Sequence, residues 1–224
     1  AKDAIAMTGT GYAAFERNYL RAAFDRTVQL TNLESAILAG TFGAGQGGNL
    51  TLEARQLTLT QGAVIGNPTQ GTGAGGSLSI QVAEDIDVTS SGIGTTATSF
   101  GKSGDLFIQT GNLRLRDTGI ITTNTLGDGD SGNLTINARD NVIINDRNRQ
   151  GFLGANISTA TIAGKGSAGN LEINARQIRV EDGGTISTAS GTAVLNRVFV
   201  SSGTGGSLML NATDEIRLEA SGTQ

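Results

Sequence analysis

The sequence predicts an all-β fold, a parallel β-helix with three short strands in each coil, on three observations. A glycine-led motif recurs, as Gly48-Asn49-Leu50-Thr51-Leu52-Glu53-Ala54, Gly76-Ser77-Leu78-Ser79-Ile80, Gly104-Asp105-Leu106-Phe107-Ile108, Gly132-Asn133-Leu134-Thr135-Ile136-Asn137-Ala138, Gly169-Asn170-Leu171-Glu172-Ile173-Asn174-Ala175 and Gly206-Ser207-Leu208-Met209-Leu210-Asn211-Ala212. Its leading glycines are separated by steps of 28, 28, 28, 37 and 37 residues, and a fixed period of this kind marks a solenoid. Within each copy apolar and polar residues alternate, so Leu50, Leu52 and Ala54 face inward and Thr51 and Glu53 face out.

Each copy is the first strand of a coil. Second strands follow as Leu57-Thr58-Leu59, Ile86-Asp87-Val88, Leu113-Arg114-Leu115, Val142-Ile143-Ile144, Ile178-Arg179-Val180 and Ile216-Arg217-Leu218. Third strands read Ala36-Ile37-Leu38, Ala63-Val64-Ile65, Ile93-Gly94-Thr95-Thr96, Ile121-Thr122-Thr123, Ile157-Ser158-Thr159 and Ile186-Ser187-Thr188. The offset from first to second strand alternates between seven (Leu50 to Leu57) and eight (Leu78 to Ile86) along the chain, so the repeating unit is a pair of coils. About seven layers at the strand spacing of ~4.8 Å give a rod segment on the order of 34 Å long.

Composition narrows the chemistry. Glycine accounts for 34 of 224 residues and proline for one, and the glycines punctuate apolar triplets without the triplet period of collagen. There is no cysteine and no histidine, which excludes disulfides, thiolate or imidazole metal sites and any histidine triad. A net charge of −4 with both signs mixed argues against nucleic-acid binding. No apolar run approaches the roughly 20 residues of a membrane span, and no segment resembles a signal peptide. Ala1-Lys2-Asp3-Ala4-Ile5-Ala6-Met7 aligns with Ala212-Thr213-Asp214-Glu215-Ile216-Arg217-Leu218, so residues 1–224 are expected to be a single β-helix segment cut from a longer chain.

Three insertions interrupt the pattern, near residues 12–34, 146–154 and 189–202. They hold six of the nine aromatics and six of the sixteen basic residues. Tyr12, Phe15 and Tyr19 with Ala22 and Ala23 have a roughly helical spacing, which suggests a short helix. Tyrosine, phenylalanine and arginine are enriched at binding hot spots, so the candidate contact residues are Tyr12, Phe15, Arg17, Tyr19, Arg21 and Phe24 in the first insertion, Arg147, Arg149 and Phe152 in the second, and Arg197 and Phe199 in the third. Against this, an aromatic in an insertion also serves to cover a core edge.

The pattern Gly-Asn-Leu-x-Ile-x-Ala-Arg-x-Leu, followed by Asp-Gly-x-x-Ile-Ser-Thr and a glycine-rich return, resembles the filamentous-haemagglutinin-like repeats of large bacterial exoproteins, most of all cyanobacterial members of the two-partner secretion class. The clearest match is Gly169 to Ile178 with Asp182-Gly183-Gly184-Thr185-Ile186-Ser187-Thr188, and the resemblance covers roughly residues 36 to 223. It implies a right-handed β-helical shaft, exported through an outer-membrane secretion partner and displayed at the bacterial cell surface or secreted as an adhesin or extracellular filament. Contacts with host cells, glycans or further protomers would then run through insertion loops or coil ends. The Asn-Pro-Asn motifs of that family's secretion domain have only Asn67-Pro68-Thr69 as an echo, inside a repeat.

Blander readings win at the sites with apparent chemistry. Gly127-Asp128-Gly129-Asp130-Ser131-Gly132-Asn133 is similar to a calcium loop, with Asp128 and Asp130 as candidate ligands, but it lacks a tandem register and reads first as a turn. Glu84-Asp85-Asp87 and Glu181-Asp182 offer paired carboxylates for a glycosidase. Their neighbours Arg114 and Arg179 point instead to surface charge pairing, so no catalytic residue and no cofactor is assigned. The polysaccharide-binding or polysaccharide-degrading β-helix stays as the alternative to a non-catalytic shaft. Outward positions of the third strands, Gly94, Thr122, Ser158 and Ser187, do not form the threonine array of an ice-binding face. The column Gln81, Gln109, Asn137, Asn174 and Asn211 reads as an amide ladder.

Overall fold

The computed structural model describes residues 3–11, 13, 35–147, 154–194 and 197–220, with backbone alone at 192–194 and 197–199. Apart from Ala13, the helix suggested around Tyr12 to Ala23 lies outside these residues. The described chain is built of parallel strands stacked in three columns, a parallel β-solenoid.

The first column contains β3 (Leu50–Ala54), β6 (Leu78–Val82), β9 (Leu106–Thr110), β12 (Leu134–Ala138) and the leading halves of β15 (Leu171–Glu181) and β19 (Leu208–Glu219). Its register is regular: Leu50 pairs with Leu78, Leu78 with Leu106, Leu106 with Leu134, Leu134 with Leu171 and Leu171 with Leu208. The second column stacks β1 (Ile5–Thr8), β4 (Leu57–Thr60), β7 (Asp85–Thr89), β10 (Asn112–Arg116), β13 (Asn141–Asn145) and the trailing halves of β15 and β19. The third stacks β2 (Ala36–Leu38), β5 (Val64–Thr69), β8 (Gly92–Ala97), β11 (Ile120–Thr125), β14 (Asn156–Thr161) and β16 (Thr185–Ser190). Three strands per coil are therefore present as predicted, but first and second strands fuse in β15 and β19, which join two columns into one 11-stranded sheet.

Stacking identical positions buries columns of leucine, isoleucine and valine. Leu78, Ile80, Leu106, Ile108, Leu134 and Ile136 from the first column meet Leu57, Leu59, Ile86, Leu113 and Leu115 from the second and Ile65, Ile93, Ile121 and Ile157 from the third, all fully enclosed. Burying each such side chain contributes roughly 1.5 to 3 kcal/mol. Among the described residues the inward row is exposed at Leu208, Ile216 and Leu218 of the last strand, β19, and half-buried at Ile5, Met7, Ile37 and Leu50 at the other end.

The seven and eight offsets have a stereochemical cause. Outside the coil lengthened by the insertion after Ile144, the distance from first to third strand is fifteen residues, as in Leu50 to Ile65, Leu78 to Ile93, Leu106 to Ile121 and Leu171 to Ile186, so one residue moves between two corners from coil to coil. Where it sits at the second corner, two consecutive residues take positive φ: Gln61 and Gly62 (54° and 89°), Asp117 and Thr118 (48° and 71°), Asp182 and Gly183 (50° and 91°). Each pair is closed by a backbone bond across the turn, the clearest being Gly119 N–H to Arg116 O at 2.9 Å and Gly184 N–H to Glu181 O at 3.0 Å. Two central residues with positive φ are the signature of a type I′ turn. Where the residue sits at the first corner instead, the stacked backbones form a bulge: Gly111 and Asn112 both donate to Glu84 O, and Arg176 and Gln177 both donate to Asp140 O. Neighbouring corners fit one another, since Asp146 Oδ1 accepts the buried N–H of Thr118 at 2.9 Å.

The glycine-rich returns are stacked structure. A Cβ placed on Gly73, Gly101, Gly129, Gly166 or Gly203 would overlap the carbonyl of Gly45, Gly73, Gly101, Gly129 or Gly166 in the coil beside it. Leading glycines obey the same rule, with Gly132 against the carbonyl of Gly104. The N–H of Gly132 donates to Ser103 Oγ, so the Gly104 carbonyl takes its hydrogen bond from the buried hydroxyl of Thr95 at 2.6 Å. The bond recurs as Thr123 to Gly132 (2.7 Å), Thr159 to Gly169 (2.5 Å) and Thr188 to Gly206 (2.8 Å), while Asn67 serves the carbonyls of Gly48 and Gly76 at 3.1 Å. Threonine two residues after the third-strand isoleucine thus faces inward, as the strand parity requires.

Two substitutions test this close stacking. Gly129→Ala is expected to cost about 1–3 kcal/mol, because its methyl group has no room, whereas Gly45→Ala, where a Cβ meets nothing within 4 Å, changes stability by less than about 0.5 kcal/mol. Thr95→Val leaves a buried carbonyl without its donor and is expected to cost about 1–3 kcal/mol. Urea unfolding followed by circular dichroism measures all three.

Candidate functional site

Most polar columns are engaged between coils. At the second position of the repeat, Asn49, Asp105, Asn133 and Asn170 each accept the backbone N–H of the next copy, at Ser77, Asn133, Asn170 and Ser207, over 2.8–3.0 Å. Asp128 Oδ1 accepts from Lys165 N–H at 3.2 Å and Asp130 Oδ1 from Ser167 N–H at 2.9 Å. The two aspartates of the calcium-like loop therefore cap the next coil, and no group of three or more metal-ligating side chains is found among the described residues.

The carboxylate pairs considered for catalysis are tied to cations or amides. Arg114 lies 3.4 Å from Asp85 and 3.8 Å from Asp87, and Arg116 lies 2.9 Å from Asp87, which agrees with the expected charge pairing. Arg55 meets Glu84 at 3.3 Å. Around Glu181 the pairing differs from expectation. Glu181 accepts from Asn145 Nδ2 at 3.0 Å while Arg179 turns to Gln177 at 2.9 Å, because the long strand β15 puts Gln177 and Arg179 on the same outward side. Asp182, whose side chain is 8% exposed, is instead held by Arg147 at 3.0 Å. All of these groups are on the outer surface of the shaft. On the third face the outward Thr122 is buried, which removes it from any ladder of exposed threonines.

Of the predicted contact residues, Arg147 is thus an anchor of the second corner. Arg197 and Phe199 stand in β18 (Arg197–Phe199), which pairs antiparallel with β17 (Thr192–Val194), so the third insertion carries a small hairpin. The candidates from Tyr12 to Phe24, with Arg149 and Phe152, lie outside the described residues. Two exposed aromatics were missed by a reading that looked only at insertions: Phe42 and Phe100, 54% and 65% exposed on the glycine-rich returns. Their signal in the sequence was a large apolar side chain among glycines, at a position where other copies carry small or polar residues.

The amide column is only partly a ladder. Asn211 donates to Asn174 at 2.7 Å and Asn174 to Asn137 at 2.8 Å, but the side chains of Gln81 and Gln109 make no hydrogen bond among the described residues. Beside this break a groove of about 640 Å³ crosses the first corner. It is lined by Gln109, Asn137 and Asn174, by the small residues Ala83, Ala138 and Ala175, and by Arg139 and Arg176. Arg139 pairs with Asp140 at 3.3 Å and Arg176 with Asp214 at 2.8 Å, carboxylates that stand outside the groove's lining.

No family model, curated protein or solved structure matches this chain. No helix among the described residues is long and apolar enough to cross a membrane.

Because the aspartate oxygens already receive backbone N–H groups, calcium is expected to leave the protein's melting temperature unchanged, whereas Asp130→Ala lowers stability by about 0.5–1.5 kcal/mol through loss of the cap. Thermal melts in millimolar calcium and in chelator check both.

Proposed function

We propose that this chain is a non-catalytic shaft segment of a secreted or surface-displayed bacterial adhesin or extracellular filament, wound as a right-handed β-helix of about seven coils. The observation that carries the reading is the use of side chains: polar columns, glycines and corner carboxylates are directed at the next coil. A chain organised this way transmits length and stiffness, and nearest-neighbour contacts suffice to hold it. The resemblance of the Gly-Asn-Leu repeat to filamentous-haemagglutinin-like exoproteins supports export through an outer-membrane partner. Insertion loops and exposed aromatics on the returns are then the surfaces left for contact with cells, glycans or other protomers.

Antibodies raised against the purified chain test this on intact cells of the source organism. Surface labelling that external protease removes is the expected result; labelling only after the cells are opened overturns the reading. Incubation with polysaccharides is expected to release no new reducing ends, and Asp87→Asn or Asp182→Asn is expected to change nothing in that assay.

A further inference from the structure

The groove across the first corner brings unpaired side-chain amide groups of Gln109 and Asn137 together with the guanidinium groups of Arg139 and Arg176. We propose that it binds one extended strand of a linear glycan that carries carboxylates, a polyuronate. For its biological setting the inference rests on the reading of the chain as a surface shaft; the binding itself does not.

Three observations bear on the ligand. Its amides match hydroxyl groups: the Gln109 side chain makes no hydrogen bond among the described residues, and Asn137 uses its Oδ1 to receive Asn174 while its Nδ2 donates to no described residue. An amide presents both donors and acceptors, as vicinal sugar hydroxyls require. Next, the only charged side chains in the lining are Arg139 and Arg176. Each guanidinium has five N–H donors in a planar fork, and the bonds to Asp140 and Asp214 leave several of them for a ligand carboxylate. Their acidic partners also hold the two forks in place, which lowers the entropy lost on binding. Finally, the lining repeats by coil: Asn137 pairs with Asn174 in register, and Arg139 and Arg176 follow them at equivalent positions. Adjacent coils are about 4.7–4.9 Å apart, close to the length of one pyranose unit in an extended glycan. A strand laid along the shaft therefore meets the open amides of Gln109 and Asn137 at two successive steps and a guanidinium at two, while the Asn174 amide is taken up by Asn137, Glu172 and Asn211. The floor of Ala138 and Ala175 leaves room for the ring faces.

Charge alone does not describe the site, because the carboxylates behind the arginines balance much of their field. Bidentate geometry selects a planar carboxylate presented beside hydroxyls, in preference to a neutral sugar.

Isothermal titration of the purified chain with a galacturonate pentamer, cellopentaose and a sulfated oligosaccharide of equal length tests the proposal. Binding of the uronate, at least about tenfold tighter than of cellopentaose, is expected. Arg139→Gln combined with Arg176→Gln should weaken it by about tenfold or more, and Gln109→Ala should weaken it measurably. Arg114→Gln, on the neighbouring face, should leave it unchanged. All four positions are on the surface, and an unaltered β-sheet circular dichroism spectrum verifies that each variant is folded. Absence of uronate binding, equal binding of cellopentaose, or a double variant that binds as the parent does overturns the proposal. So does tighter binding of the sulfated chain, which would mark a site for charge alone. Any of these failures leaves the surface-labelling result, and so the shaft reading, intact.

Discussion

Everything in this molecule follows from holding successive coils at the separation of hydrogen-bonded parallel strands, about 4.7–4.9 Å. In most folds that spacing applies to strands while connections run free. Here it extends to the corners and to the glycine-rich returns, where a Cβ at Gly101 or Gly129 would collide with a carbonyl of the adjacent coil. Glycine is required there for close approach, so stretches that read locally as flexible linkers are among the most tightly stacked parts of the chain. The leading-glycine carbonyls point at the next coil and receive a hydroxyl from Thr95, Thr123, Thr159 or Thr188 across the core. One spacing thereby explains the glycines, the inward threonines and the ladders of aspartate and asparagine.

The alternation between neighbouring coils is a second consequence. If every coil placed its extra residue at the same corner, type I′ turns or bulged corners would stack on themselves. In this chain the extra residue changes corner from one coil to the next, so that Asp146, at a corner without the turn, supplies the acceptor for Thr118 within it. Thr118 is the costly member of this set. A β-branched residue at φ 71° occupies a place filled by glycine at Gly62 and Gly183. Its buried N–H bond to Asp146 is part of what holds it in that conformation.

A shaft built this way has little free chemistry. Carboxylates that look catalytic in the sequence face arginines or, at Glu181, a side-chain amide, and the aspartates of the loop that resembles a calcium site cap the coil beyond them. On the proposed reading, recognition is left to places where the ladders stop. One is the break in the amide column at Gln109, where glutamine replaces asparagine and the hydrogen-bonded chain from Asn211 ends at Asn137. Others are Phe42 and Phe100, which stand out from returns made of glycine and small residues.

The sequence by itself determined the columns, because period and alternation are properties of the chain: which Leu, Ile and Val face inward, where first, second and third strands begin, and that coils come in pairs. It also determined that Asp87 would meet Arg114, since both positions follow from the register. What it left undecided depends on which neighbour a side chain chooses among several within reach. Glu181 took Asn145 and Asp182 took Arg147, although Arg179 is nearer in sequence, because the adjacent coil brings those partners closer than the chain does. The amide ladder was legible as a column, but its end was not; that depends on whether each amide reaches the one below across the coil spacing. The groove arises only at that end, since it is made by residues of successive coils whose equivalent positions lie 28 or 37 residues apart along the chain, as Gln109, Asn137 and Asn174 do, and stacking makes them neighbours.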